Sequence, residues 1–127
     1  MTFGESINTC LKQKYADFDG RASRSEYWWF ALFQFLIYLV LTLVTGGIIN
    51  YETGEMNSFG AIVLLLAVLA LIVPAIAAAV RRLHDTDKSG WWYLISFIPY
   101  VGGIILLVLL ALPGTSEPNR FGEVPLS

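Results

Sequence analysis

The chain is short of cysteine, histidine and charge, and each shortage excludes something. Its single cysteine, Cys10, rules out an intrachain disulfide. Cys10 lies in a polar stretch, where an inert thiol is the default and an acylated anchor the alternative. The single histidine, His84, makes a poor basis for a zinc site, which takes three or four protein ligands, most often Cys or His. Asp, Glu, Lys and Arg make up 14% of the residues, well below the share usual in soluble globular domains. Nor is there an excess of positive charge: 8 Lys and Arg stand against 10 Asp and Glu, a net charge of −2. That balance argues against nucleic acid as a partner. No G-x-S-x-G, Walker loop, H-E-x-x-H or C-x-x-C is present. Phosphoryl transfer and thiol chemistry therefore have no visible equipment, and no cofactor is expected. The first 26 residues include Glu5, Lys12, Lys14, Asp17 and Asp19, so no cleavable signal peptide is expected.

What is abundant is apolar. Hydrophobic residues reach 56% of 127, too many for a disordered chain. Charge is missing from three long stretches, Tyr27–Ile49, Phe59–Val80 and Trp91–Leu112. Each is long enough to cross a hydrocarbon core, which takes about 20 residues of helix. In lipid the backbone must satisfy its own hydrogen bonds, so such segments are helices. A soluble bundle would carry a polar stripe along each helix, and Phe59–Val80 has no polar side chain at all.

These patterns predict a single all-α integral membrane domain. It comprises an interfacial segment over 1–26, spans at 27–49, 59–80 and 91–112, a polar loop over 81–90 and a polar tail over 113–127. Trp28 and Trp29 open the first span, and Trp91, Trp92 and Tyr93 the third, at the headgroup level that such rings prefer. Ser23-Arg24-Ser25-Glu26 reads as a capping box that starts the first helix near Arg24. Lys12, Lys14, Arg21 and Arg24 precede the first span, and Arg81, Arg82 and Lys88 follow the second, whereas residues 50–58 hold only acidic charge. The positive-inside rule then places the N-terminus and the 81–90 loop in the cytoplasm. Three full spans put the tail outside. Pro99 and Gly102-Gly103 interrupt the third stretch. They predict a kinked span, or else a re-entrant hairpin that returns the tail to the cytoplasm.

Three further patterns carry expectations. Ile7, Leu11, Tyr15 and Phe18 recur at helical spacing, as an amphipathic helix in the membrane interface or one packed on the chain itself. Ala67, Ala70, Pro74, Ala77 and Ala78 form a small-residue face on the second span. Such a face lets helices approach closely, within the chain by default or in a homo-oligomer. Pro74 should free a carbonyl near Ala70, and Gln34 should bond a neighbouring helix.

The densest polar cluster is Arg81-Arg82-Leu83-His84-Asp85-Thr86-Asp87-Lys88. It reads as a structural and topological loop, as an anionic-headgroup site formed with Arg21 and Arg24, or as a catalytic site with His84 as general base and Asp85 as its orienter. No charge lies within a span, so one chain alone is a poor transporter.

Tyr15-Ala-Asp-Phe-Asp-Gly-Arg-Ala-Ser-Arg-Ser-Glu-Tyr-Trp28, Arg81-Arg82-Leu83-His84-Asp85 with Ser89-Gly90-Trp91-Trp92, and Asn119-Arg120-Phe121-Gly122 with Pro125 together resemble the DUF805 family of small bacterial inner-membrane proteins. The likeness runs from Tyr15 to Pro125. Asp87 stands where that family often has a small residue, and Phe121 where Tyr is common. The resemblance implies a multi-pass protein of the bacterial inner membrane, and no reaction or substrate. The sequence is therefore read as a non-enzymatic membrane protein. It would bind anionic lipid, or a membrane-protein partner, through a cytoplasmic face of Arg21, Arg24, Arg81, Arg82, His84 and Asp85. An oligomeric transport or channel subunit, or a headgroup enzyme using His84, is the alternative.

Overall fold

The computed structural model describes residues 2–50 and 52–125. Met1 of the expected N-terminal segment, Tyr51 of the first loop and Leu126 and Ser127 of the tail lie outside the described residues. Every regular element among the described residues is helical.

Two long helices form the frame. Helix α2, Arg24–Thr45, begins where the capping pattern placed it, with the Ser23 hydroxyl accepting from the Glu26 amide at 3.1 Å. The reciprocal half of the box is not made, because the Glu26 carboxylate is engaged by Arg81. At its far end the Thr42 and Thr45 hydroxyls donate back to the Tyr38 and Leu41 carbonyls, at 2.7 and 2.6 Å. Polar groups are thus satisfied within the helix, as an apolar surrounding demands. Gly46, at φ 83°, closes the helix. Helix α3, Ser58–Asp85, starts from Asn57, whose side chain also donates to the Thr45 carbonyl at 2.6 Å and ties the two helix ends together. At 1.5 Å per residue the helices are roughly 33 and 42 Å long, enough for a hydrocarbon core of about 30 Å. Their outward faces are apolar and uncovered, Leu43, Val44 and Phe59 among them. Both are long and apolar enough to cross a membrane.

Residues 81–85, expected in the loop, continue α3 instead. The helix then stops in a paired turn: the Asp87 amide donates to the His84 carbonyl at 2.9 Å and the Lys88 amide to the Leu83 carbonyl at 3.0 Å. This closure satisfies the last carbonyls and leaves Arg82 and His84 in the final turn, where the helix dipole favours cations. It also forces Asp87 to φ 60°, a conformation that disfavours any residue with a Cβ. Asp87→Gly is expected to raise the melting temperature in detergent, relieving about 1 kcal/mol of backbone strain. The Arg120–Asp87 pair lost in exchange is solvent-exposed and contributes little. A lower melting temperature would show that this pair outweighs the strain.

The third apolar stretch is not one continuous helix. A 3-10 helix, Gly90–Phe97, is followed by a turn and then by α4, Gly102–Ala111. Pro99 cannot donate a helical hydrogen bond and holds Ile98 extended, at ψ 120°. Tyr100 at φ 70° completes the reversal. Helix α4 returns along α3, with Leu106 and Leu110 clustered on Ala79 and Leu83. The stretch therefore takes the hairpin course rather than that of one kinked helix. The tail lies beside the end of α3, where the Thr115 amide donates to the Asp85 carbonyl at 2.8 Å.

The N-terminal segment packs on the chain itself. Helix α1, Phe3–Asn8, opens with a capping box between Thr2 and Glu5 and runs into a π-helical turn over Thr9–Gln13. Ile7 and Leu11 pack against Cys10, Phe30 and Ala78, and Phe3 meets Trp29 and Phe33 edge-on. Tyr15 and Phe18, expected on the same face, are exposed. The Tyr15 hydroxyl instead donates to the Ala70 carbonyl at 2.5 Å, the acceptor that Pro74 leaves free four residues on. Of the small-residue face, Pro74, Ala77 and Ala78 are buried by the chain's own elements, Ala67 is half-buried and Ala70 exposed. Gln34 donates to Phe30 of its own helix rather than to a neighbour, at 3.5 Å.

Candidate functional site

At the end of the helix pair where α3 stops, three arginines and two carboxylates are taken out of water together. Arg21, Glu26, Arg81, Arg82 and Asp85 are each at most 4% exposed. Burying an ion costs several kcal/mol unless its partners are complete, and here they are. Among the described residues no buried side-chain nitrogen or oxygen lacks a hydrogen bond.

Each guanidinium ties two or more segments. Arg21 binds the Asp85 carboxylate at 2.9 Å and reaches the tail carbonyls of Thr115 at 2.6 Å and Glu117 at 3.0 Å. Arg82 meets the other Asp85 oxygen at 2.5 Å. It also donates to the Leu110 carbonyl at 2.8 Å, to Ala22 at 3.2 Å and to Leu112. Those Leu carbonyls close α4, so a cation there serves both their hydrogen bonds and the helix dipole. Arg81 pairs with Glu26 of α2 and donates to the Asp17 carbonyl at 3.1 Å. A planar guanidinium has five donors in fixed directions. One arginine can therefore clasp a carboxylate and two strands of backbone, which a lysine ammonium cannot do as well.

His84 is held differently from the sequence expectation. Its Nδ1 lies 2.9 Å from the Gly20 carbonyl and so donates to it. Its ring stacks on Phe121, with centroids 3.9 Å apart and planes 1° from parallel. Asp85, expected to orient it, is bound by Arg21 and Arg82 instead. Asn119 donates to the His84 carbonyl at 2.9 Å. Five of the six expected site residues, Arg21, Arg81, Arg82, His84 and Asp85, are therefore brought together and engaged internally, not presented outward. Arg24 is exposed.

Glu26 was read from the sequence as a cap and is an ion partner. Thr115, Glu117 and Gly114 were not singled out at all. Gly114 passes so close that an added Cβ would lie 1.9 Å from an Asp85 carboxylate oxygen. The only sequence signal for these contacts was the polar motif in the tail, which has meaning once the tail is on this side. Cys10 is fully buried near Arg81 and Phe30. Burial pushes its thiol pKa up, and the nearby Glu26 adds to the effect, which gives it the inert character of a structural thiol.

Two clefts open beside the buried ions. One, about 390 Å³, is lined by Ser23, Arg24, Ser25, Thr115, Ser116 and Gly114, with Asp85 at its wall. The other, about 440 Å³, lies between Gln13, Lys14 and Gly20 on one side and Phe121–Pro125 on the other. Among the described residues no group of His, Cys, Asp and Glu is disposed to hold a metal ion.

Comparison with known proteins covers the motif-bearing segments. The family model described as "Protein of unknown function (DUF805)" matches residues 15–123. The chain is 40% identical over 113 residues to the inner membrane protein YhaI of Escherichia coli strain K12, covering 89% of each chain. It is 37% identical over 114 residues to the inner membrane protein YhaH of the same strain, covering 89% of this chain and 90% of that one. No solved structure matches.

Proposed function

The chain belongs to the DUF805 family of uncharacterised inner-membrane proteins, and we propose that it is a non-enzymatic, two-crossing membrane protein that holds an anionic lipid headgroup at Arg24. In this reading both described ends lie in the cytoplasm. Support comes from the charge map. Because the tail returns beside Asp85, Arg120 joins the basic residues that precede α2 or end and follow α3: Lys12, Lys14, Arg21, Arg24, Arg81, Arg82 and Lys88. The connection at the other end carries Glu52 and Glu55 alone. The positive-inside rule assigns the basic end to the cytoplasm.

The observation that carries the headgroup reading is the position of Arg24. It is exposed, at the mouth of the 390 Å³ cleft with Ser25, Thr115 and Ser116. It also sits about one helical turn before Trp28, an exposed indole at the start of the apolar stretch. Indoles favour the headgroup level, so Arg24 stands at the depth of lipid phosphates, with a fork that matches them. Arg21, Arg81, Arg82, His84 and Asp85 act as positioning residues that hold the walls of the cleft.

Native mass spectrometry of the chain released from nanodiscs containing phosphatidylglycerol tests this. The wild type is expected to retain the anionic lipid. Arg24→Gln should retain about tenfold less, the loss of one charge-assisted contact. Arg24→Gln with undiminished lipid would overturn the reading. The same spectra report a second copy, for which the uncovered Ala70 and half-buried Ala67 offer a close-approach surface.

A further inference from the structure

We propose that the hairpin made by the 3-10 helix and α4 is a one-leaflet wedge. It makes the protein wider in the leaflet beside the polar end than in the opposite one, so that the protein concentrates in membrane convex on that side. The inference rests on the two-crossing reading above.

Its length sets its reach. Eight residues of 3-10 helix rise roughly 16 Å and ten of α-helix about 15 Å, each near half of a hydrocarbon core of about 30 Å. The hairpin is anchored to the last third of α3. Gly90 sits so close to Val80 that a Cβ would meet its side chain at 2.8 Å, and Leu106 and Leu110 cluster on Ala79 and Leu83. Its outer surface is uncharged and uncovered, with Phe97 74% and Ile104 64% exposed. That surface continues the apolar outer faces of α2 and α3, so its occupant is the acyl chains of the same leaflet. Trp91, exposed at the base of the hairpin, suits the headgroup boundary.

Among the described residues the opposite half of the frame has no such additions beyond the connection between the two helices. There α2 and α3 stand alone, with Leu43, Val44, Phe59 and Leu66 uncovered. The N-terminal segment adds to the asymmetry, because it too packs near the polar end, against Phe30 and Ala78. One leaflet therefore accommodates the hairpin and the N-terminal segment beside the two helices, and the other only the two helices. A shape inserted into one leaflet binds in a curvature-sensitive way.

The test uses the full chain in vesicles and separates two kinds of failure. Wild-type Cys10 is buried and serves as the unreactive blank for thiol labelling. In oriented membrane vesicles, Ser116→Cys is expected to label from the cytoplasmic side and Glu52→Cys from the other. Labelling of both from one side would overturn the two-crossing reading. With sidedness as expected, molecules whose tail faces outward should be enriched about threefold per membrane area in small sonicated vesicles over large extruded ones, because one-leaflet insertion is curvature-sensitive. Equal partition would overturn the wedge alone.

Depth at the tip gives an independent measure. Outside the helix's own bonds the backbone amides of Tyr100, Gly103 and Ile104 find no backbone acceptor among the described residues. Unpaired amides are costly in hydrocarbon, so insertion of the tip works against that cost and its depth is the deciding measurement. A spin label at Tyr100→Cys is expected among the acyl chains. A label at headgroup depth would mean that the hairpin lies on the surface, and would overturn the proposal.

Discussion

Arg82→Gln should destabilise the folded protein by about 3–5 kcal/mol, the usual result of breaking a buried ion pair from one side. The substitution strands half of the Asp85 carboxylate and the carbonyls of Ala22, Leu110 and Leu112. These groups belong to four separate segments: the end of α3, the entry to α2, the end of α4 and the start of the tail. Reversible unfolding in mixed micelles measures the loss, and limited proteolysis of the tail reports whether it has come away. Glutamine retains two donors, so the expected loss reflects both missing contacts and the uncompensated carboxylate. Arg82→Lys is expected to recover only part of the stability, because an ammonium cannot span the carboxylate and the backbone carbonyls in the same way. A stability unchanged by Arg82→Gln would mean that the tail and hairpin are held by apolar contacts alone.

Gly102→Ala should cost nearly as much, by a different mechanism. A Cβ at this position would lie 2.0 Å from the Ile95 carbonyl oxygen and 3.1 Å from its carbon. The obstacle is backbone, so no side-chain rotation relieves it, and the hairpin must open. A loss of about 3 kcal/mol, the upper part of the range for overpacking, is expected. Gly103→Ala is the matched control. Nothing lies within 4 Å of its added methyl, and alanine is a better helix former than glycine by about 1 kcal/mol. A gain at Gly103 beside a loss at Gly102, read in the same unfolding assay, would verify the close approach of the two arms. Equal effects at both would contradict it.

The contrast between neighbours in the Gly102-Gly103 pair shows where sequence reading ends. The two residues are equivalent as letters, and only the path of the 3-10 helix distinguishes them. Pro99 was legible as a break, but a break alone does not say whether the chain continues onward or turns back. The Leu106 and Leu110 contacts with Ala79 and Leu83 resolve it, and nothing in local periodicity encodes them. Residues 81–85 offer a second case. Their charges read as loop because isolated polar residues at a span end usually meet water. In the fold those charges meet Glu26, Arg21 and one another instead of water, so the helix continues.

Composition alone determined that this is an apolar, helical chain. Its uncharged stretches exceed the thickness of a hydrocarbon core, and a backbone without water must bond to itself. Local chemistry likewise determined the start of α2 at Ser23 and the carbonyl freed by Pro74. Tertiary structure decided what the arginines do. Arg21, Arg81 and Arg82 had the composition of an anion-binding face, yet Glu26, Asp85 and the carbonyls of the returning tail surround them. Whether a guanidinium grips a ligand or its own chain depends on which acceptors lie within about 3 Å of it. Those acceptors come from segments up to a hundred residues apart, and only folding brings them together.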